Sequence, residues 1–368
     1  MQIMAAAREL FALRGYENVS MTDVAAALGM SASSLYRHIA SKQEMLAATV
    51  DAALVAVEGA TVAALTFEGL CADLADVVMA QSDLWILLRR ESLHLDGTDR
   101  DVFVDRYQRM IDAARSALSD ERPELSSAEA DLRARCALAC MAAPREQATA
   151  RSMTAAGIAA TALAVGRGGG RPEVTLTRDD LKSATGAWAS SRTDELLAAA
   201  EGLISRRGYA AVTLEQLGEA AGMSGPSLYH HFANKSSILV ALVERAAREM
   251  EARRVEALSV PGGPAATLST LARSYLTFAI AHADLFRVLV NDSVSIPAGA
   301  AADLAALRSR QIETWVVMAE ALDQRGRAVE RAACALSIID ELAAAQTSSW
   351  LVASAGGLFS SIQDALGL

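Results

Sequence analysis

The stretch SASSLYRHIASK at positions 31–42 returns as SGPSLYHHFANK at 224–235, with seven of twelve residues unchanged. The offset is 193 throughout, so Tyr36 answers to Tyr229, His38 to His231 and Lys42 to Lys235. The match runs backward without a gap, through Gly29-Met30 with Gly222-Met223 and Gly15-Tyr16 with Gly208-Tyr209. A self-match of this length is a duplicated unit, and a duplication fixes the architecture before any local assignment. The 368 residues must therefore fold as two similar halves, a length sufficient for two or more cores.

Each copy opens with three short helical segments. In the first, Ile3, Ala6, Leu10 and Leu13 recur at helical spacing and the segment stops at Gly15. Ser20 is placed to cap a second helix from Met21 to about Leu28, and Ser31 a third from Ala32 to about Ile39. The second copy repeats this with Leu196–Arg207, then Thr213 capping Leu214–Ala221, then Ser224 capping a helix that runs to Phe232. Pro226 falls in the first turn of that helix, where its missing N–H costs little. Two helices joined by a short glycine-containing turn form a helix-turn-helix. Beyond Lys42 and Lys235 the chain reads as longer amphipathic helices, rich in alanine and leucine and poor in β-branched alternation. The expected fold class is all-α, with boundaries at 1–45 and 46–165 for the first half, a glycine-rich basic linker at 166–190, and 191–238 and 239–368 for the second. The segments at 153–166 and 347–362, rich in small residues, are expected to let helices approach closely.

Several function classes are excluded. A net charge of −10 argues against a protein that coats nucleic acid non-specifically, so any DNA contact must be local. No uncharged run of the roughly 18–20 residues of a membrane span is present, so no membrane is expected among the partners. Four scattered cysteines, Cys71, Cys136, Cys140 and Cys334, suit a reducing compartment, and the cytoplasm is expected. Neither a glycine-rich phosphate loop nor a serine elbow is present, so an enzyme is not expected. Three of the five histidines fall in the duplicated segment, and Cys136 and Cys140 lack a second ligand pair, so neither a metal nor a cofactor is expected.

A helix ending RGY, a capped second helix and the pattern GMS..SLY.H...K resemble the TetR family of one-component transcriptional regulators, over about 45 residues in each copy. The resemblance implies that each half joins a three-helix DNA-binding domain to a helical ligand-binding and dimerisation domain. Because such regulators act as dimers of single units, it also implies that this chain is both protomers fused, an intramolecular pseudo-dimer. By the same likeness the operator-contacting positions are Thr22, Ala32, Ser33, Ser34, Tyr36, Arg37, His38 and Lys42 in the first copy. In the second they are Gly225, Pro226, Ser227, Tyr229, His230, His231 and Lys235. The residue chemistry agrees, since a recognition helix enters the major groove by an N-terminal end of small side chains. The family often has a lysine or arginine where Ala32 and Gly225 stand. The basic linker, through Arg178, Lys182 and Arg192, is expected to supply phosphate contacts for the second copy.

Unlike residues at matched positions (Ser33 and Pro226, Arg37 and His230, Thr22 and Glu215) imply an imperfect inverted repeat as operator. The expected function is a regulator, in the family's commoner habit a repressor, released by a small, largely apolar or amphipathic effector. Candidate ligand residues are Trp85, Met79, Phe67, Phe103, Tyr107 and Met110 in the first half, and Tyr275, Phe278, Phe286, Trp315 and Met318 in the second. Most of these read more readily as core; His94 and His282 are candidates for orienting the ligand, each with the alternative of a surface histidine. The competing reading is a ligand-binding or protein-interaction module whose DNA-reading surface has decayed. Further association into a higher oligomer is also open.

Overall fold

The computed structural model describes residues 2–145, 152–168, 191–223, 225–322 and 326–368, and the side chains of 63, 145 and 225–227 stand outside that description. Most of the expected linker, 169–190 with Arg178 and Lys182, and the expected cap Ser224 lie outside the described residues. The chain divides into two compact units, Met1–Arg167 and Gly168–Leu368. All regular structure among the described residues is helical.

Unit 1 comprises α1 (Gln2–Arg14), α2 (Met21–Ala27), α3 (Ala32–Leu35), α4 (Lys42–Ala63), α5 (Phe67–Ala80), α6 (Leu84–Arg89), α7 (Gly97–Glu121), α8 (Ser127–Ala139) and α9 (Ala155–Arg167). Unit 2 follows in the same order: α10 (Arg192–Arg207), α11 (Leu214–Ala220), α12 (Gly225–His231), α13 (Lys235–Ser259), α14 (Pro264–Ala281), α15 (Ala283–Asn291), α16 (Ala298–Glu320), α17 (Ala328–Ala345) and α18 (Ser348–Leu366).

Local chemistry accounts for the helical boundaries in both readers. Ser20 and Thr213 each complete a reciprocal capping box, with Asp23 and Gln216, so two orphan N–H groups are satisfied at each start. Gly15 and Gly208, at φ 77° and 80°, terminate the first helices in a backbone region closed to side chains with a Cβ. Behind the turns a small core forms from Ala7, Phe11, Val24, Leu35 and Ile39, and from Ala200, Ile204, Leu217, Leu228 and Phe232. The third helix of copy 1 is shorter than its sequence suggests. It ends at Leu35, and Tyr36, Arg37 and His38 continue as a tight turn whose N–H groups reach the carbonyls of Ala32, Ser34 and Leu35.

The larger helices of each unit build the second core. In unit 1, α4 packs on α5 and α7, and α5 packs on α9. Over Lys42–Val62, α4 has the length and mean hydropathy of a membrane span, which a count of uncharged runs alone passes over because Asp51 and Glu58 interrupt it. Half of that stretch is buried within the unit, where Met45, Leu46, Leu54 and Val57 are core residues. Asp51 and Glu58 both hold the Arg106 guanidinium of α7, Glu58 at 2.9 Å from its Nε. In unit 2, α16, α17 and α18 pack in sequence and α14 lies against α13 and α18. Its interior holds a polar triad, in which Tyr275 donates to Asp340 at 2.8 Å and Arg308 donates to the Tyr275 oxygen at 2.7 Å and pairs with Asp340.

The small-residue segment of α9 has one steric role that can be isolated. A Cβ placed on Gly166 would lie 2.2 Å from the Phe67 ring, whereas one on Gly59, in the middle of α4, meets nothing within 4 Å. Gly166→Ala is expected to destabilise unit 1 by about 1–3 kcal/mol through overpacking. Gly59→Ala should stabilise it by about 0.5–1 kcal/mol through helix propensity. Urea unfolding of the two variants checks both signs.

Candidate nucleic-acid interface

In copy 1 the segment from α2 to α3 presents a polar, mostly exposed face. Ser31 accepts from the Ser34 N–H at 3.2 Å and shares a hydrogen bond with the Ser33 hydroxyl at 3.0 Å. Arg37 reaches the Ser34 hydroxyl at 3.3 Å, leaving its remaining donors outward. Thr22, Ser33, Tyr36, Arg37 and His38 are exposed, Ala32 and Ser34 are partly so, and Leu35 beneath them is fully buried. These seven of the eight expected positions of the first reader are thus at least partly exposed.

The second reader has the same frame with different chemistry. Tyr229, His230 and His231 are exposed on α12, and the Tyr229 phenol donates to Glu215 at 3.2 Å. His231 Nδ1 lies 3.2 Å from the Thr193 hydroxyl at the start of α10. Gly225 and Pro226 lie in the first turn of α12 and Ser227 follows. Arg192, expected among the phosphate contacts, reaches across to the Gly222 carbonyl at 2.9 Å and pairs with Glu195.

Lys42 and Lys235 occupy a different place from the one their sequence position suggests. Lys235 Nζ donates to the carbonyls of Tyr209 and Val212 at 2.7 and 2.8 Å and sits 4.1 Å from the Tyr209 ring centroid. Lys42 lies at the same 4.1 Å from the Tyr16 ring, with the Glu17 carbonyl at 3.4 Å. Each ammonium is thus engaged by the turn after the first helix, through cation–π and carbonyl contacts. Burial draws both below the ordinary lysine pKa.

The same turns are where each reader meets its larger domain. Glu91, fully buried, accepts from the Tyr16 N–H at 2.7 Å, while its neighbour Arg90 donates to the Phe11 and Ala12 carbonyls at 2.9 and 2.7 Å. In copy 2, Asp292 accepts from the Tyr209 N–H at 2.9 Å, and Glu201 of α10 accepts from the Leu285 N–H at 3.1 Å. His94 belongs to this joint too. It stacks on Tyr16 at 5.4 Å, and its carbonyl accepts from Gln43 at 2.9 Å. His282 is buried against Phe278, with ring centroids 4.9 Å apart. Sequence reading missed Glu91 and Asp292 because they lie outside the repeated motif, and Glu201 because Arg8 stands at its matched position in the first copy. The available signal was a carboxylate closing the apolar runs LWILLRRE and LFRVLVND.

The aromatic candidates for a ligand site separate into two groups. Phe67, Trp85 and Met110 are core in unit 1, and Phe278, Phe286, Trp315 and Tyr275 interlock edge to face in unit 2. Tyr275 and Trp315 line a void of about 10 Å³, the size of a single water. Met79 and Met318 are half-buried. Phe103, stacked at 5.6 Å on Tyr107, borders an open cleft of about 540 Å³ between α4 and α7. Leu54, Leu95 and Val102 line this cleft with Asp51, Asp99 and Arg106. Among the described residues no three His, Cys, Asp or Glu side chains converge as a metal-ligand group.

The copy 2 joint carries a pH signature. Burial pushes Glu201 up to about 7, against the opposing pull of Arg245, and pushes Asp292 up to about 6. Both carboxyls lie near pH 4 in an unfolded chain. Between about pH 4 and 7 the folded unit 2 therefore binds more protons than the unfolded one, so these groups lower its stability as pH rises. Glu201→Gln should remove part of that slope, at most about 1.4 kcal/mol per pH unit per group. Urea midpoints at pH 5.5 and 8 are expected to show the wild type losing ground against the variant at the higher pH.

Comparison with known proteins bears on the repeated segments directly. The amino-terminal family profile described as bacterial regulatory proteins, tetR family, matches residues 3–49 and again 196–242. No curated protein matches the chain. Solved structures similar to it include AibR in complex with isovaleryl coenzyme A and operator DNA, at 16% identity and TM-score 0.38, covering 46% of this chain and 97% of that one. PfmR from Thermus thermophilus is similar at 23% identity and TM-score 0.39, covering 46% and 99%. The ketosteroid transcriptional regulator KstR2 of Mycobacterium tuberculosis is similar at 20% identity and TM-score 0.41, covering 49% and 95%. The family segment is present twice, each time where the three short helices of a reader stand in the fold. The chain thus carries the amino-terminal segment of the tetR family of bacterial regulatory proteins twice in one polypeptide.

Proposed function

We propose that one chain reads an imperfect inverted repeat, each copy of the helix-turn-helix taking one half-site. The observation that carries this reading is the pair of complete readers on a common frame with unlike outward residues: Ser33, Tyr36, Arg37 and His38 in one, Tyr229, His230 and His231 in the other. Such a protein is a pseudo-dimer within one molecule. In it α8 and α9 take the place of one protomer's dimerisation helices, and α17 and α18 that of the other's. A linker of about 25 residues reaches as far as roughly 90 Å when extended, enough to join the end of one helical domain to the next reader.

On this reading the phosphate and base contacts fall to the exposed hydroxyl, histidine and arginine side chains. Lys42 and Lys235 hold the turn that positions them. The chain acts as a repressor in the cytoplasm, and its domain boundaries follow those of the duplicated units. A small amphipathic effector is the second ligand. The cleft beside Phe103 has the size of a small-molecule site and lies against the first turns of α4, the helix that continues directly from the first reader. An effector there acts by shifting α4 against α7. The packed aromatic cluster of unit 2 gives that half a structural role in this conformation.

Selection of bound duplexes from a random DNA pool, at near-physiological salt, tests the reading. Two unlike half-sites in inverted orientation, centred about 34–36 Å apart or a multiple of it, are expected, with one chain per duplex by mass. No enrichment leaves the alternative of a ligand-binding or interaction module with a degenerate DNA surface.

A further inference from the structure

At one juxtaposition the two readers differ in the sign of what they present. In copy 2 the phenol of Tyr229 donates to Glu215 Oε1, across 3.2 Å from α12 to the first turn of α11. Both side chains face solvent, Tyr229 being 54% exposed. In copy 1, Thr22 stands where Glu215 does. Among the described residues the Tyr36 hydroxyl, on a side chain 52% exposed, has no protein partner.

The chemistry of the Glu215–Tyr229 pair is one-sided. Hydrogen bonds from its own backbone amide, from Thr213 and from Tyr229 hold the Glu215 carboxyl below the usual carboxylate range, so it is ionised and can only accept. The same bond raises the Tyr229 phenol, which keeps its proton and directs it to Glu215. An uncommitted tyrosine such as Tyr36 can donate to a phosphate oxygen. Tyr229 can do so only by releasing the carboxylate, which the phosphates also repel. What this corner of copy 2 offers a duplex is therefore acceptors.

In the major groove only the exocyclic amines of cytosine and adenine donate, while guanine presents O6 and N7 and thymine O4 as acceptors. Adenine pairs its amine with the N7 acceptor and so suits an amide, which both donates and accepts. Cytosine presents the amine without N7 and suits a carboxylate. We propose that Glu215, positioned by Tyr229, selects a cytosine in the half-site read by the second copy, a selection that the first copy, with Thr22 and an uncommitted Tyr36, does not make. This rests on the DNA-reading function proposed above. A glutamate serving only the amino terminus of α11 leaves base preference untouched, so the readout must be preference rather than stability.

The test uses the full chain and its selected duplex, with each base pair of the second half-site changed in turn and binding followed by fluorescence anisotropy. At one position the wild type is expected to favour cytosine over thymine by about ten-fold, within the range of a direct base contact. Glu215→Gln should turn that preference towards adenine, and Glu215→Thr, which installs the copy 1 residue, should abolish it. Tyr229→Phe should narrow the discrimination several-fold. An unchanged urea midpoint for Glu215→Gln confirms that the fold is intact. Wild-type preference surviving in both Glu215 variants, or a wild-type preference for guanine or thymine at the position they alter, overturns the assignment alone. Failure of the wild type to enrich any duplex overturns the DNA-reading function, and this assignment with it.

Discussion

A carboxylate receiving one backbone N–H, fully buried as Glu91 in one unit and half-buried as Asp292 in the other, ties each reader to its helical domain, and the rest of the arrangement depends on that contact. Glu91 holds the Tyr16 amide in one unit and Asp292 holds the Tyr209 amide in the other. Both amides belong to the residue after a left-handed glycine, where the chain has left the first helix and its N–H has no helical partner. Removing the carboxylate takes its partner from a half-buried donor, at a cost of about 1 kcal/mol. The tyrosine at that position adds a second tie, since its ring supports the lysine that opens the long helix. Reader, turn and long helix are thereby fixed together by one residue pair in each unit.

The two units keep this plan and differ in how they execute it. Around the joint, unit 1 uses Arg8 of α1 against Asp83 at 2.9 Å, with Arg90 on the helix-end carbonyls. Unit 2 places a glutamate, Glu201, where Arg8 stands, and receives the amide of Leu285. The polarity of the joint is reversed, and the reversal brings a desolvated carboxylate that titrates near neutrality. Within the helical domains, unit 1 secures α7 to α4 through Arg106 and two carboxylates and leaves a cleft beside them. Unit 2 buries Leu307 of α16 and fills its centre with aromatic rings and the Tyr275–Arg308–Asp340 triad. A buried ion pair of this kind contributes more to specifying one packing than to net stability, because desolvation offsets most of its attraction.

This divergence is what fusion permits. In a homodimer one sequence must serve both half-sites and both effector domains, so a substitution appears twice. Two units in one chain are released from that constraint. The observed differences lie where such release matters, on the outward face of the readers, in the joint and in the helical interior. The inward faces of the three-helix readers stay apolar while changing residue: Leu35 answers to Leu228 unchanged, but Phe11 answers to Ile204, Val24 to Leu217 and Ile39 to Phe232, so each small core is repacked within the same frame.

The sequence by itself determined the duplication, the helical class and the readers down to their caps. Each is a local matter: Ser20, Thr213, Gly15 and Gly208 act on their own neighbours through hydrogen bonds and backbone sterics. The positions of Ser34, Tyr36 and Tyr229 on an exposed face follow from the same short-range periodicity. Only the tertiary structure decided which aromatics are core, since Phe103 and Phe278 look alike in a string and differ in what packs over them. It also decided the fate of Lys42 and Lys235, whose charges read as free until the turn carbonyls and tyrosine rings were brought beside them from two dozen residues away. The roles of Glu91, Asp292 and Glu201 were settled at the same level. Their partners lie far along the chain, and burial, which no local pattern encodes, is what gives a carboxylate at that depth its hold on a single amide.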